Sequence, residues 1–117
     1  MDNAYEVLSY LIHKGYEIYI VSMGTTQNLV GKSIWLKENL PNANFIACNF
    51  DTYKDKSHID MSDGILIDDE ERYLNNCNAQ IKICFGDEYE WNKKWQGIRC
   101  CNWYDVKRYF ERIGGGL

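Results

Sequence analysis

The stretch SDGILIDDEERYL, residues 62–74, decides how the rest of the sequence is interpreted. Three apolar residues, Ile65, Leu66 and Ile67, lead directly into two carboxylates, Asp68 and Asp69. A short apolar run between polar segments is typical of a buried strand. Adjacent carboxylates make each other harder to ionise, and a divalent cation removes that penalty. The stretch therefore predicts a buried strand that ends at a cation-binding site.

Helical and strand patterns alternate along the chain around this stretch. Apolar residues spaced i, i+3, i+4 indicate amphipathic helices, and β-branched and aromatic runs indicate strands. Gly15 stands where a helix C-cap is expected, and Thr25 or Thr26 can cap the second helix. The predicted elements are a helix around 4–12, a strand at 17–22, a helix ending near Pro41, strands at 44–48 and 64–67, a short helix from Glu70, a strand at 80–85, a surface loop at 86–97 and a helix after Asn102.

This alternation predicts an α/β fold of three layers, with helices covering both faces of a parallel sheet of about four strands. Ligands bind such sheets beyond the carboxyl ends of the strands. Those ends carry Ser22, the loop after Cys48, and the Asp68–Asp69 pair. We therefore expect these groups to lie along one rim of the sheet.

The composition is that of one folded domain, residues 1–113, followed by a glycine-rich tail, 114–117. The net charge of -4 disfavours nucleic-acid binding. No apolar run is long enough for a membrane span and no signal-peptide pattern is present, which predicts a cytoplasmic protein. Five cysteines without CxxC spacing indicate reduced, mostly buried thiols. The alternative is a zinc site formed by Cys77, Cys84 and the Cys100–Cys101 pair.

The groups predicted at the rim are suited to phosphate chemistry. Aspartate oxygens hold Mg²⁺, a lysine ammonium neutralises a phosphoryl group, and a hydroxyl fixes one of its oxygens. Ser22, Lys56 and the Asp68–Asp69 pair supply these groups. Each also has an ordinary explanation: a turn-forming serine, a solvated loop lysine, and an acidic helix N-terminus that complements the helix dipole.

The order of these residues resembles the later motifs of haloacid dehalogenase (HAD) superfamily phosphatases. Within that superfamily the chain is most similar to the 5'(3')-deoxyribonucleotidase family. The similar stretches are IYIVSMGTT, KDKSHIDMSDGILIDDEERYL and WN…NWYDVKRYF. The resemblance implies a Rossmann-like HAD fold and Mg²⁺-dependent hydrolysis of nucleoside monophosphates or other phosphomonoesters.

The resemblance also implies a role for individual residues. Ser22 matches the phosphate-binding hydroxyl, followed by Met23 and Gly24, although Met23 replaces the small hydroxyl residue common in the family. Lys56 matches the lysine that contacts the phosphate and the nucleophile, and Lys54 is the competing candidate. The acidic motif matches Asp68 and Asp69, of which one binds Mg²⁺ and its neighbour supports the lysine or the metal.

The nucleophile of these phosphatases, an aspartate in a DxDx[T/V] motif after the first strand, is missing. No two of the aspartates, at positions 2, 51, 55, 60, 63, 68, 69, 87 and 105, are separated by a single residue. We therefore expect a HAD-like core that lacks the first strand and the cap and is inactive alone. Because unpaired buried backbone groups are costly, either the strands ending at Ser22 and Asp68 pair directly, or a homo-oligomer or a partner chain supplies the missing strand, and we favour association.

Three functions are compatible with this pattern. The first is one part of a nucleotidase-like phosphatase, with magnesium as cofactor and a nucleophile supplied by another segment or chain. The second is a non-catalytic remnant that binds Mg²⁺, phosphate or a protein partner. The third is a flavodoxin-like or receiver-like signalling module, which the lack of a phosphoacceptor aspartate at a first-strand end disfavours.

Overall fold

Four helices and five strands follow one another in the computed structural model, which describes residues 2–114. Every strand pair in these residues is parallel, so the predicted α/β class is confirmed at this level. In chain order the elements are α1 (Asp2–His13), β1 (Tyr19–Gly24), α2 (Thr26–Asn39), β2 (Asn44–Asn49), β3 (Ile65–Asp68), α3 (Glu71–Asn75), β4 (Ile81–Phe85), β5 (Ile98–Cys100) and α4 (Trp103–Gly114). Of the predicted tail, Gly114 ends α4 and the rest lies outside the described residues.

The chain divides at the Lys54–Asp55 bond into two compact units. In the first unit, β1 and β2 form a two-stranded parallel sheet in which Ser22 pairs with Ala47. Helix α2 connects them and is capped by Thr25, whose side chain accepts a hydrogen bond from the backbone N–H of Asn28. Gly15 follows α1 with a φ of 100°, which confirms the predicted glycine cap. The buried apolar residues of this unit are Val7, Leu11, Leu29, Leu40 and Cys48.

The second unit contains a three-stranded parallel sheet in the order β3-β4-β5. Helix α3 follows β3, α4 follows β5, and Asp68 pairs with Cys84 on the neighbouring strand. The core of this unit forms because α3 places its apolar face against the sheet. Its central cluster consists of Leu66, Leu74, Cys77, Ala79 and Cys84, with Met61 and Trp95 packed against it.

The predicted sheet of about four strands differs from the structure in two respects. Hydrogen bonding groups the strands into two sheets, and β5 is a fifth strand that the prediction lacks. This strand is only three residues long, too short to show the alternation by which a strand is recognised, and it is defined by pairing with β4. Strand β1 also extends to Gly24, so Ser22 lies within the strand and not at its end.

Two predictions from composition can be compared with the structure. All five cysteines are free, and only Cys101 is exposed, which confirms mostly buried thiols. In the described part of the chain, no three His, Cys, Asp or Glu side chains converge in a way that could hold a metal ion. Between residues 2 and 114, none of the helices has the length and apolar character needed to cross a membrane.

The core of the second unit is expected to depend on Leu74, which is completely buried. Leu74→Ala should lower the free energy of unfolding by about 2.5–5 kcal/mol, because it removes apolar contacts and leaves a cavity. Ile113→Ala on α4 is the control, since Ile113 is 43% exposed and its truncation should cost less than about 0.5 kcal/mol. Urea denaturation followed by tryptophan fluorescence measures both. Similar losses for the two variants would contradict the assignment of Leu74 to the core.

Candidate functional site

The segment that leads from Asp55 to β3 has little regular structure, but side-chain hydrogen bonds hold its turns. Asp55 accepts a hydrogen bond from the backbone of Ser57 at 2.9 Å, and Asp60 accepts one from Ser62 at 3.0 Å. Asn78 donates to Asp60 at 3.1 Å and accepts from the backbone of Met61 at 2.7 Å. Such aspartate turns fix the backbone locally. Lys56 is therefore carried by an ordered loop.

Lys56 is buried, with 7% of its surface exposed, and its ammonium forms an ion pair with Oδ2 of Asp68. The same ammonium lies 5.0 Å from the centre of the Tyr73 ring. A lysine is buried only where its charge is compensated, and a carboxylate together with an aromatic face meets that need. The structure thus places Lys56 beside the acidic motif, whereas Lys54, the competing candidate, is exposed.

The two adjacent aspartates have different surroundings. Asp68 is 8% exposed, and its two carboxylate oxygens bind Lys56 and the backbone N–H of Glu70, the latter at 3.1 Å. Asp69 is exposed, and its backbone carbonyl accepts a hydrogen bond from Asn92 at 2.8 Å. This contrast follows the end of the strand, since Asp68 is the last residue of β3 and Asp69 lies in the bend after it. One carboxylate is therefore committed to the lysine and the other faces solvent.

The pKa of Asp69 is raised above its ordinary value. Partial burial is the largest cause and the neighbouring charge of Asp68 adds to it, while Lys56 acts in the opposite direction. Raised carboxylate pKa values are found at sites where a proton or a metal ion is bound. A cation bound at Asp69 would therefore stabilise the ionised form of its carboxylate.

Strand β4 places a thiol beside this site, but not a nucleophilic one. Burial raises the pKa of the Cys84 thiol, and the charges of Asp69, Asp68 and Glu71 raise it further. The guanidinium of Arg99, which lies 3.6 Å from the sulfur, lowers the pKa without outweighing burial. Because thiolates and not thiols are the effective nucleophiles, Cys84 is not suited to replace the missing aspartate.

The donor set fits a largely hydrated Mg²⁺. This ion commonly takes one or two carboxylates from a protein and completes its shell with water and phosphate oxygens. Asp69 supplies a solvent-facing carboxylate, and Asp68 supplies oxygens already shared with Lys56. A cation near Asp69 would offset the repulsion between the two adjacent carboxylates. The buried Oε1 of Glu71 accepts no hydrogen bond from the described residues.

The predicted phosphate-binding residues of the first unit lie together on β1. Ser22 and Met23 are half-buried and Gly24 is buried, and they pair with Ala47, Cys48 and Asn49 of β2. The carbonyl of Gly24 accepts a hydrogen bond from the backbone N–H of Phe50 at 3.1 Å. Phosphate binding by Ser22, Met23 and Gly24 stays a prediction.

Three residues that belong to this site were not predicted as site residues. Glu71 was missed because it reads as the first turn of a helix, and Asn92 because residues 86–97 show no periodic pattern. Arg99 was missed because its strand was not recognised. The pair WN at Trp91 and Asn92 formed part of the similarity to the nucleotidase family and was the one signal pointing to Asn92.

Comparisons of the chain with protein-family models, with curated proteins and with solved structures give no significant match. The similarity to the HAD superfamily therefore rests on the sequence stretches given above.

Removing one partner of the buried ion pair is expected to destabilise the folded chain. Lys56→Met should lower the free energy of unfolding by about 3–5 kcal/mol, because Asp68 would be left buried without its cation. The double variant Lys56→Met/Asp68→Asn should be more stable than the single variant, since no uncompensated charge is buried. Lys54→Met, at an exposed position, is the control and should change stability by less than about 0.5 kcal/mol. Urea denaturation at pH 7 measures all three; a double variant no more stable than the single one would contradict the pairing.

The raised pKa of Asp69 gives a pH dependence of known sign. The folded chain holds this proton more tightly than the unfolded chain, so the contribution of Asp69 to stability falls as pH rises through its raised pKa. In metal-free buffer with EDTA, Asp69→Asn should therefore raise the free energy of unfolding at pH 7 by about a few tenths of a kcal/mol. The effect is small because solvent screens the group. The gain should disappear below the ordinary Asp value of 3.8.

Asp60→Asn is the matched control for this measurement. Hydrogen bonds from Ser62 and Asn78 lower the pKa of Asp60, so its ionised form stabilises the folded chain at neutral pH and this contribution is lost in acid. The substitution should lower stability at pH 7, opposite to Asp69→Asn. Equal signs for the two variants would show that Asp69 carries no penalty.

Proposed function

We propose that this chain is the Mg²⁺- and phosphate-binding part of a HAD-type phosphatase that resembles the 5'(3')-deoxyribonucleotidases. The observation that carries the proposal is the buried Lys56–Asp68 ion pair beside the exposed Asp69, at the carboxyl end of a parallel strand. The carboxyl ends of parallel strands are where such sheets bind ligands. Buried ion pairs contribute little net stability. The burial of a charged pair at this end is therefore better explained by the binding of a charged substrate than by a gain in stability.

Each residue has a distinct role in this proposal. Lys56 neutralises negative charge on the phosphoryl group, and Asp68 holds Lys56 in place. Asp69 is the direct ligand of Mg²⁺. When bound, the metal would supply Lewis-acid stabilisation of a phosphate oxygen. For Ser22, Met23 and Gly24 of the first unit, phosphate binding is what the resemblance implies, and no role in the site at Asp69 is assigned to them.

Hydrolysis requires a nucleophile that this chain does not carry. No DxD pair exists in the sequence, and the Cys84 thiol is held in its protonated form. Strand β3 is an edge strand of the three-stranded sheet that the structure describes, where it is hydrogen-bonded to β4. A strand from another polypeptide or a second copy, bringing an aspartate beside Asp68, would complete the site. The proposed substrate is a nucleoside monophosphate or another phosphomonoester.

A second candidate function is a non-catalytic module of the same fold that binds Mg²⁺ and phosphate or a protein partner. The missing nucleophile favours it, whereas the intact lysine and acidic motif favour the enzyme part. A neighbouring reading frame that encodes a strand, a DxDxT motif and a cap would decide for the enzyme part. The enzyme part requires that the Asp68–Asp69 segment bind Mg²⁺, as does the Mg²⁺-binding form of the second candidate.

Mg²⁺ binding by Asp69 is the test of the proposal. A titration with MgCl₂ at constant ionic strength, followed by amide NMR shifts, should give a roughly millimolar Kd centred on Asp69, because few protein ligands are present. Inorganic phosphate added to the Mg²⁺-loaded chain should shift signals near Lys56. Asp69→Asn should abolish the Mg²⁺-dependent shifts and Asp63→Asn, an exposed aspartate of the same segment, should retain them.

Hydrolysis of p-nitrophenyl phosphate by the same sample should not exceed the blank. Turnover that is lost in Asp69→Asn would mean that a nucleophile is present after all. Absence of any Mg²⁺-dependent shift at Asp69 would overturn the proposed function and leave only a module that binds phosphate or a protein partner.

A further inference from the structure

Residues 86–97, the loop between β4 and β5, contain a completely buried amide side chain, that of Asn92. Its oxygen accepts a hydrogen bond from the backbone N–H of Tyr89 at 2.8 Å. Its nitrogen donates to the backbone carbonyl of Asp69, also at 2.8 Å. One side chain therefore closes a turn of its own loop and binds the loop to the exposed aspartate of the candidate site.

Arg99 of β5 holds this loop from the other side. Its guanidinium donates to the carbonyls of Gly86 at 3.3 Å, Asn92 at 2.9 Å and Trp95 at 3.4 Å. It also donates to the side-chain oxygen of Asn92 at 3.3 Å. A planar guanidinium with five donors is suited to fixing several carbonyls at once. The position of Asn92 is thus determined by the sheet through Arg99.

A second hydrogen bond joins the loop to the acidic motif. The backbone N–H of Glu71 donates to the carbonyl of Trp91 at 3.2 Å. Together with the bond from Asn92 to Asp69 and the bond from Glu70 N–H to the Asp68 carboxylate, it fixes the backbone on both sides of Asp69. Only the two side-chain torsions of Asp69 stay free, so the direction in which its carboxylate leaves the backbone is set by the loop.

The distribution of buried polar groups supports a role in the site. In the described part of the chain, the buried polar or charged residues are Lys56, Asp68 and Asn92. All three belong to the hydrogen-bonded cluster at the carboxyl end of β3. Burying polar groups is costly, and a loop that packed through apolar side chains would avoid this cost. The confinement of the buried polar groups to one place therefore points to a function there.

We propose that Asn92, held by Arg99, is a positioning residue that orients Asp69 towards the bound cation. This inference rests on the proposed function, since it concerns the same Mg²⁺ site. It adds that the loop of residues 86–97 is part of the site, although it contributes no ligand. Loss of the Asn92 hydrogen bond would leave Asp69 present but free to move, and would weaken Mg²⁺ binding.

The test compares Mg²⁺ affinity at matched stability. Asn92→Ser keeps a hydroxyl that can accept from Tyr89 but cannot reach Asp69, and it should raise the Kd for Mg²⁺ at least about fivefold. Val106→Ala is the control, because Val106 is completely buried on α4 and makes no contact through hydrogen bonds with the loop. It should lower thermal stability by as much or more, yet leave the Kd within about twofold of the unmodified chain.

The unmodified chain provides a second measurement in case Asn92→Ser does not fold. The side-chain amide signal of Asn92 should shift during the MgCl₂ titration with the same Kd as the backbone amide of Asp69. The side-chain amide of Asn78, which is bound to Asp60, should not shift.

The outcomes separate the two proposals. An Asn92→Ser chain with unchanged affinity, or equal weakening in Asn92→Ser and Val106→Ala, would overturn the positioning role and leave the proposed function standing. A stationary Asn92 amide signal, with Asp69 shifting, would do the same. No shift at Asp69 in the unmodified chain would overturn both.

Discussion

The interaction on which the rest of the site depends is the ion pair between Lys56 and Asp68. Both side chains are buried, and neither could be buried alone without a large loss of stability. The pair therefore requires that the loop carrying Lys56 and the end of β3 be held at contact distance. The turns at Asp55 and Asp60, the Tyr73 ring below the ammonium and the sheet itself all serve this requirement.

The ion pair also explains why two adjacent aspartates can have different chemistry. Residues along a strand alternate between faces, so Leu66 and Asp68 of β3 are both buried, whereas Asp69 follows the end of the strand and is exposed. Asp68 is neutralised by Lys56, whereas Asp69 keeps a raised pKa and faces solvent. A repeated residue type at consecutive positions thus yields one structural carboxylate and one that is available to a ligand. The loop of residues 86–97, fixed by Arg99, adds a constraint on the second.

Much of the fold could be predicted because its signals are local. The alternation of helices and strands, the cap at Thr25, the glycine after α1 and the strand that precedes the two aspartates are encoded within a few residues each. The strand β5 was not predictable in this way, because three residues become a strand only through pairing with β4. The grouping of strands into two sheets is likewise a matter of long-range pairing, which periodicity does not encode.

The sequence by itself determined the α/β class, the position of the acidic pair at a strand end and the absence of a DxD nucleophile motif. These follow from residue types and spacing alone. Only the tertiary structure decided that Lys56 and not Lys54 meets the acidic pair, that Asp68 is the buried member, and that Asn92 and Arg99 belong to the site. The reason is physical: burial, pairing and hydrogen bonding join residues that are distant in sequence, 12 positions apart for Lys56 and Asp68 and 23 for Asp69 and Asn92. Such contacts depend on how loops fold back onto a sheet, and no local pattern records them.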